Sequence, residues 1–398
     1  MRGIPRWLSI SVVLFAAYLL ALGVFVSRQL SVQSRHIVWT KQLASWNFGK
    51  TRLLSDGRLL VQDYSGMQLV FSPAGEKLYE VQGPSYGNAE SEGLYRELPN
   101  GEAYIVTEGP LNQQHTGGGM ANVVITSSGT PEITRIDADG RELARIKPGF
   151  VFDSNTGLLP IEGQIVLSDA SRQIQAVDES GNTAWQCTTT VGQLLLPGPD
   201  SGMLSADVNS ISQTAELALI DKAGQQLWLK PLPGDFGSSL LCDGERIYYV
   251  DNSGDIRCLD ADGNELWQFA GNGSVFAHDG PFSLSSRGPW MDNAEVLQLT
   301  ADGRLAAMDE EGGLHLLDCR SGADSVVNLP YNYSRKLAVD TQRGRIVSIS
   351  DEGLEVFDMQ GRRLSNNSFI RGRGRPVLDT ERSQGYVYDN GRLSCFSY

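Results

Sequence analysis

Apolar residues along this chain fall into two patterns. Trp7 to Val26 is a continuous apolar or small-residue run without a charged side chain. Beyond it, apolar residues come in short bursts, each closed by a polar turn and a glycine. The long 3.6-residue periodicity of amphipathic helices is missing from that part of the chain. Short bursts bounded by Asp and Gly predict strands, so the chain reads as all-β after its first segment.

The bursts repeat. Five copies carry one pattern in full: Ile133–Gly140, Ile174–Gly181, Leu217–Gly224, Ile256–Gly263 and Leu354–Gly361. Gln68–Gly75 places Ser72 where the others have Asp, and Leu314–Gly322 has one extra residue in its turn. An eighth copy, Leu393–Tyr398, stops where the turn would begin. In each unit a mostly apolar strand ends at an Asp, whose carboxylate can accept a backbone N–H two residues on. The Gly three residues later supplies the positive φ of a bulged hairpin. Four residues after that Gly stands an aromatic in four copies, Tyr79, Trp185, Trp228 and Trp267, placed to dock one sheet on its neighbour.

Two further strand-like runs precede each unit, as in Lys50–Ser55, Arg58–Asp63 and Met67–Phe71. Each copy is therefore a four-stranded antiparallel meander, recurring about every 40 residues, the signature of propeller blades. The last copy lacks a fourth strand, while His36–Leu43 stands alone at the front of the repeats with Trp39 at the aromatic position. The two ends should pair and close the ring, which removes exposed sheet edges. The predicted fold is an all-β, eight-bladed β-propeller of four-stranded antiparallel blades, plus one N-terminal transmembrane helix.

The Asp-x-x-Gly-x-x-x-Trp core and its period resemble the pyrroloquinoline-quinone-type propeller repeat, over roughly residues 36–398. The resemblance implies the fold, and it implies one of two kinds of function. Such repeats occur in quinoprotein dehydrogenases and in non-catalytic envelope propellers, among them the lipoprotein subunit of the outer-membrane β-barrel assembly machinery. The dehydrogenases set an adjacent Cys–Cys pair against the quinone. Here Cys187, Cys242, Cys258, Cys319 and Cys395 are all separated. The envelope branch fits better, although a helix replaces the lipidated Cys as anchor. No cofactor is expected.

Twenty apolar residues at 1.5 Å rise span a hydrocarbon core of ~30 Å. Arg2 and Arg6 precede the run and Arg28 follows it. The short basic tail favours a cytoplasmic N-terminus. The expected organisation is a cytoplasmic tail (1–6), a transmembrane signal anchor (7–27), a linker (28–36) and a propeller (37–398). A cleaved signal peptide is the competing reading, with Ala21-Leu22-Gly23 as a small-x-small site. Either reading places the propeller on the extracytoplasmic side, and the anchor reading makes it a single-pass protein of the cell membrane. Ser27 to His36 reach at most ~36 Å when extended, so the ring should sit near the bilayer.

Charge narrows the partners. The chain holds 47 acids against 33 Lys and Arg, a formal net charge of −14, with Asp56 the first acid. An acidic exported domain argues against nucleic acid and against lying on an anionic bilayer face. The separated histidines, His36, His115, His278 and His315, have no metal-ligand spacing. Asp137-Ala138-Asp139-Gly140 and Asp260-Ala261-Asp262-Gly263 lack the closing Glu of a calcium loop and read as hairpin turns.

Two insertions interrupt the period, roughly Glu108–Thr130 in the second blade and Ala270–Asn293 between the fifth and sixth blades. In a four-stranded meander both connections emerge at the same end of the ring, so both should decorate one channel mouth, where loops carry function. The candidate partner or ligand face is Gln113, Gln114 and His115 in the first, with His278, Asp279, Arg287 and Trp290 in the second. The leading expectation is a non-catalytic scaffold for a membrane-proximal protein partner. The alternative is an enzyme or small-ligand sensor at the channel mouth, with a quinoprotein dehydrogenase as the weakest form.

Overall fold

The computed structural model describes residues 36–43, 50–62, 67–83, 95–108, 112–115, 123–126, 131–150, 157–168, 172–189, 194–209, 214–232, 236–251, 255–270, 297–309, 313–330, 336–371, 375–389 and 391–398. The predicted tail and anchor helix, and the linker up to residue 35, lie outside them. Among the described residues no helix is long and apolar enough to cross a membrane.

These residues build eight sheets. Blade 1 contains Lys50–Leu53, Leu59–Gln62, Met67–Phe71 and Lys77–Gln82. Blade 2 contains Tyr95–Glu97, Ala103–Glu108, Pro131–Ile136 and Glu142–Ile146. Blade 3 contains Gly157–Ile161, Gln164–Ser168, Gln173–Val177 and Thr183–Thr188. Blade 4 contains Leu194–Pro197, Met203–Asn209, Thr214–Ile220 and Gln226–Leu232. Blade 5 contains Phe236–Cys242, Ile247–Asp251, Ile256–Leu259 and Glu265–Phe269. Blade 6 contains Gln298–Leu299, Arg304–Met308, Gly313–Asp318 and Val326–Asn328. Blade 7 contains Lys336–Asp340, Arg345–Ser350, Gly353–Asp358 and Arg363–Asn367. Blade 8 contains Val377–Asp379, Gln384–Asp389, Arg392–Ser397 and, as its outer strand, Ile37–Gln42. The ring closes as the sequence requires: Ile37–Gln42 pairs antiparallel with Arg392–Ser397, with Thr40 opposite Ser394.

The turn chemistry is local and explains the strand ends. Asp137 Oδ1 accepts the N–H of Asp139 at 2.9 Å and of Arg141 at 2.8 Å, and the Gly140 N–H donates to the Asp137 carbonyl at 3.0 Å. Asp178 and Asp221 repeat the arrangement. The imperfect copies work too. The Ser72 hydroxyl accepts the Glu76 N–H at 3.1 Å, and Gly322 spans the longer turn to the Asp318 carbonyl at 2.8 Å. The predicted bulge falls beside the turn, between Ala176 and Val177 in blade 3 and between Leu219 and Ile220 in blade 4.

Among the described residues the apolar side chains do not gather in a single core. Eight clusters of buried side chains each straddle one seam between neighbouring blades. Strand alternation produces this. In blade 5, Tyr248 and Val250 face blade 6, while Ile247 and Tyr249 face blade 4. A strand buried on both faces reads as a continuous apolar run, as these central strands do.

The meander gives the ring two unlike ends. One carries the turns between first and second and between third and fourth strands, here called the turn end. The other carries second-to-third and blade-to-blade connections, the connection end. Both insertions leave from the connection end.

Candidate functional site

The docking aromatics act in one direction around the ring. Each reaches the turn of the following blade and donates its indole N–H to the carbonyl just after the turn's first residue. Trp39 Nε1 donates to Pro73 at 3.1 Å, Trp185 to Lys222 at 3.0 Å, Trp228 to Ala261 at 2.8 Å and Trp267 to Cys319 at 3.2 Å. Tyr79 occupies the same place between blades 1 and 2 but has no indole N–H. Its hydroxyl meets that of Tyr95 at 3.1 Å.

The carbonyl left open there is satisfied by Arg58, which the sequence did not single out. Its Nη1 donates to Ala138 at 2.6 Å and its Nη2 to Gly101 at 2.7 Å, both in blade 2, while Nε holds Asp56. Burial opposes the charge, but the Arg58 pKa lies above its ordinary value, with the charge and hydrogen bond of Asp56 favouring the guanidinium. Burial pushes the Tyr79 hydroxyl well above the usual phenol range, with Tyr95 adding to it. These are neutral, structural hydroxyls. The available sequence signal was an Arg directly after Asp-Gly in the blade whose docking residue is Tyr.

Where no aromatic stands at the position, polar groups cross the seam. Arg96 Nε donates to Leu158 at 2.8 Å and Arg135 Nη1 to Glu179 at 2.7 Å between blades 2 and 3. Gln298 makes a two-way amide bond with Val339, at 3.0 and 2.9 Å, between blades 6 and 7. Tyr398 donates to Asp340 at 3.0 Å between blades 7 and 8.

Charged side chains form cross-strand ladders at equivalent places in two blades. In blade 5, Arg257 bridges Asp251 at 2.8 Å and Glu265 at 2.6 Å. In blade 6, His315 lies between Asp309, at 3.1 Å from Nε2, and Asp324, at 2.8 Å from Nδ1. The Phe269 ring packs 5.2 Å from the His315 ring. With both nitrogens engaged, this histidine is tied into the sheet as a structural group. Among the described residues no group of three His, Cys, Asp or Glu side chains is arranged to hold a metal. Cys258 and Cys395 are pushed up to about 12 by burial, which keeps both as thiols and weak nucleophiles.

The sequence-selected partner face divides. His278, Asp279, Arg287 and Trp290 lie outside the described residues. Gln113, Gln114 and His115 lie on Asn112–His115, which pairs antiparallel with Val123–Thr126. That second strand pairs in parallel with Lys77–Gln82, the outer strand of blade 1. The first insertion therefore leaves the connection end of blade 2 and adds two strands to the outer edge of blade 1, making a six-stranded sheet. Its strands lie at the rim, not at the channel mouth expected from the meander. Strand order alone could not reveal this, because the pairing joins the insertion to a different blade.

Comparison with known proteins agrees with this architecture. A family model described as outer membrane protein assembly factor BamB matches residues 28–242, 196–318 and 252–394. The crystal structure of BamB from Moraxella catarrhalis is similar, with 15% identity and a TM-score of 0.54, covering 91% of this chain and 99% of that one. The computationally designed Ika8 protein is similar too, at 16% identity and a TM-score of 0.57, covering 90% of this chain and 98% of that one. At such identities the likeness is one of fold. No curated protein matches the sequence. The repeats, the closed ring and the family match agree: the chain belongs to the family of outer membrane protein assembly factor BamB.

Proposed function

We propose that this chain is a membrane-anchored, extracytoplasmic scaffold that binds a protein partner in the cell envelope. Family membership supports a protein-interaction propeller of the envelope. The apolar run Trp7 to Val26 supports the anchor. The observation that carries the geometry is the direction of the closing strand. Ile37 pairs with Phe396 and the Ser397 N–H donates to the His36 carbonyl at 2.8 Å, so the chain enters the ring at the turn end. A short tether there turns the turn end toward the bilayer and directs the connection end, from which both insertions depart, toward the envelope space. On this reading Gln113, Gln114, His115, His278, Asp279, Arg287 and Trp290 belong to the partner-facing side.

The enzyme alternative gains no support from the described residues, where the buried thiols stay protonated and His315 is held between carboxylates. The scaffold reading is tested on the full chain in its native membrane, with a photoreactive residue at Gln113, at Trp290 or at Ala261 on the turn end. Protein adducts are expected from the first two and lipid adducts from the third. Lipid adducts from Trp290 and protein adducts from Ala261 alone would reverse the orientation and reject the reading.

A further inference from the structure

Among the described residues blade 1 alone has more than four strands. Its outer strand, Lys77–Gln82, carries a fifth and a sixth strand, and both come from blade 2. The ring does not need them. Blade 1 has its own four strands, and closure is completed by Ile37–Gln42 at blade 8.

The pairing is also the one parallel contact in sheets that are otherwise antiparallel among the described residues. It is short, with Glu80 opposite Val124 and Val81 opposite Ile125. Parallel ladders are slightly less stable per residue than antiparallel ones. A two-position parallel ladder at an edge is therefore a weak, separable attachment. Other outer strands carry charges or proline that blunt an edge, such as Arg145 in blade 2, Lys230 and Pro231 in blade 4 and Arg363 in blade 7. Charge does not set blade 1 apart, since Lys77 Nζ lies 2.7 Å from Glu80 Oε2 just as Arg145 pairs with Glu142 in blade 2 and Arg363 with Glu355 in blade 7, but its outer strand has no proline such as Pro231.

We propose that the outer edge of blade 1 is a strand-accepting site, and that Val123–Thr126 is an internal strap seated on it. The occupant that displaces the strap is an extended segment of another polypeptide. Its chemistry is given by what the edge already holds: Val-Val-Ile-Thr, four β-branched residues running parallel to Lys77–Gln82. Backbone hydrogen bonds would supply the affinity, and β-branched side chains the preference, as in strand addition generally. This rests on the scaffold reading only for the existence of a protein partner; the site itself is a property of the edge.

The strap can be removed with little disturbance to blade 2. Glu108 and Pro131 are already paired, so deleting 109–128 leaves Gly129-Thr130 as a two-residue hairpin turn. The test uses the full-length chain in nanodiscs and a fluorescent peptide of residues 121–126. Peptide binding to the deletion variant is expected to be saturable and at least about tenfold tighter than to the native chain, a ratio worth ~1.4 kcal/mol. Amide exchange at Lys77–Gln82 should slow when the peptide binds. A peptide with proline in place of Val124 should not bind. Equal binding to both chains, or none to the deletion variant, would overturn the proposal. Should the deletion variant fail to fold, V124P in the full chain gives the same answer: faster exchange confined to Lys77–Gln82 supports the strap, and unchanged exchange there rejects it. Loss of partner adducts with intact peptide binding would instead count against the scaffold reading alone.

Discussion

The seam between blades 4 and 5 and the seam between blades 6 and 7 do the same work by different chemistry. At the first, Trp228 covers the next blade's turn and donates to the Ala261 carbonyl, beside a cluster that includes Leu217, Leu219, Tyr249 and Leu259. At the second, the equivalent position is Val326, half exposed, and the seam is bridged on the first strands by the Gln298–Val339 amide pair. An indole adds buried area as well as a hydrogen bond. An amide pair adds hydrogen bonds whose net worth is about 1 kcal/mol each, because water satisfies the same groups in the unfolded chain. The two seams are thus bridged differently, by an indole at one and an amide pair at the other, while each also has a buried apolar cluster, Phe357 among it at the second.

The largest effect should follow from breaking an aromatic seam. Trp228→Ala removes the indole and leaves a cavity over the blade 5 turn, and is expected to lower global stability by about 3 kcal/mol in urea unfolding. Gln298→Leu at the polar seam is expected to lower it by about 1–2 kcal/mol. Equal losses would show that the seams are energetically alike and would remove the basis of the contrast.

How much of this was legible in the sequence follows from the range of each interaction. The turns were legible because Asp and Gly act within four residues: Asp178 and Gly181 satisfy each other's loop wherever they stand. Closure was legible because the fold leaves one strand missing at Ser397 and one strand spare at Trp39. Arg58 was not, since its acceptor on Ala138 is 80 residues away and the Asp-Gly-Arg around it also occurs at Asp139-Gly140-Arg141 and Asp302-Gly303-Arg304. Nor was the rim position of Gln113, Gln114 and His115, because an insertion's pairing partner is set by which edge is free. The polar bridges at Arg96 and Gln298 were missed for the same reason. A repeat reveals what all copies share and hides what one seam does alone.

Arg58 gives the second test, at the seam where a tyrosine replaces the indole. Arg58→Met keeps the length and apolar stem while removing every donor. It strands the buried Gly101 carbonyl as well as the more exposed one of Ala138, and an unpaired buried acceptor costs about 1–3 kcal/mol. A loss of about 2 kcal/mol is expected, read by urea unfolding, with faster amide exchange in the blade 2 turns. In the background Tyr79→Trp the added indole N–H can take the Ala138 carbonyl, and the loss should shrink. A loss that Tyr79→Trp leaves unchanged would show that Arg58 does not stand in for the indole.

A pair of glycines isolates docking from backbone strain. Gly224 and Gly303 both hold positive φ, at 83° and 75°. A Cβ at Gly224 would enter the Trp185 ring, whereas one at Gly303 meets nothing within 4 Å. Both Ala substitutions carry the left-handed penalty of about 1 kcal/mol. Gly224→Ala should carry a further ~1–3 kcal/mol because the indole must move off the turn. The extra term should vanish in a Trp185→Ala background, where no ring remains to displace, leaving Gly224→Ala and Gly303→Ala alike. A double-mutant cycle between positions 185 and 224 measures that coupling directly. A coupling near zero would mean that the glycine serves only the turn, and that the close approach of indole to backbone adds nothing to the seam.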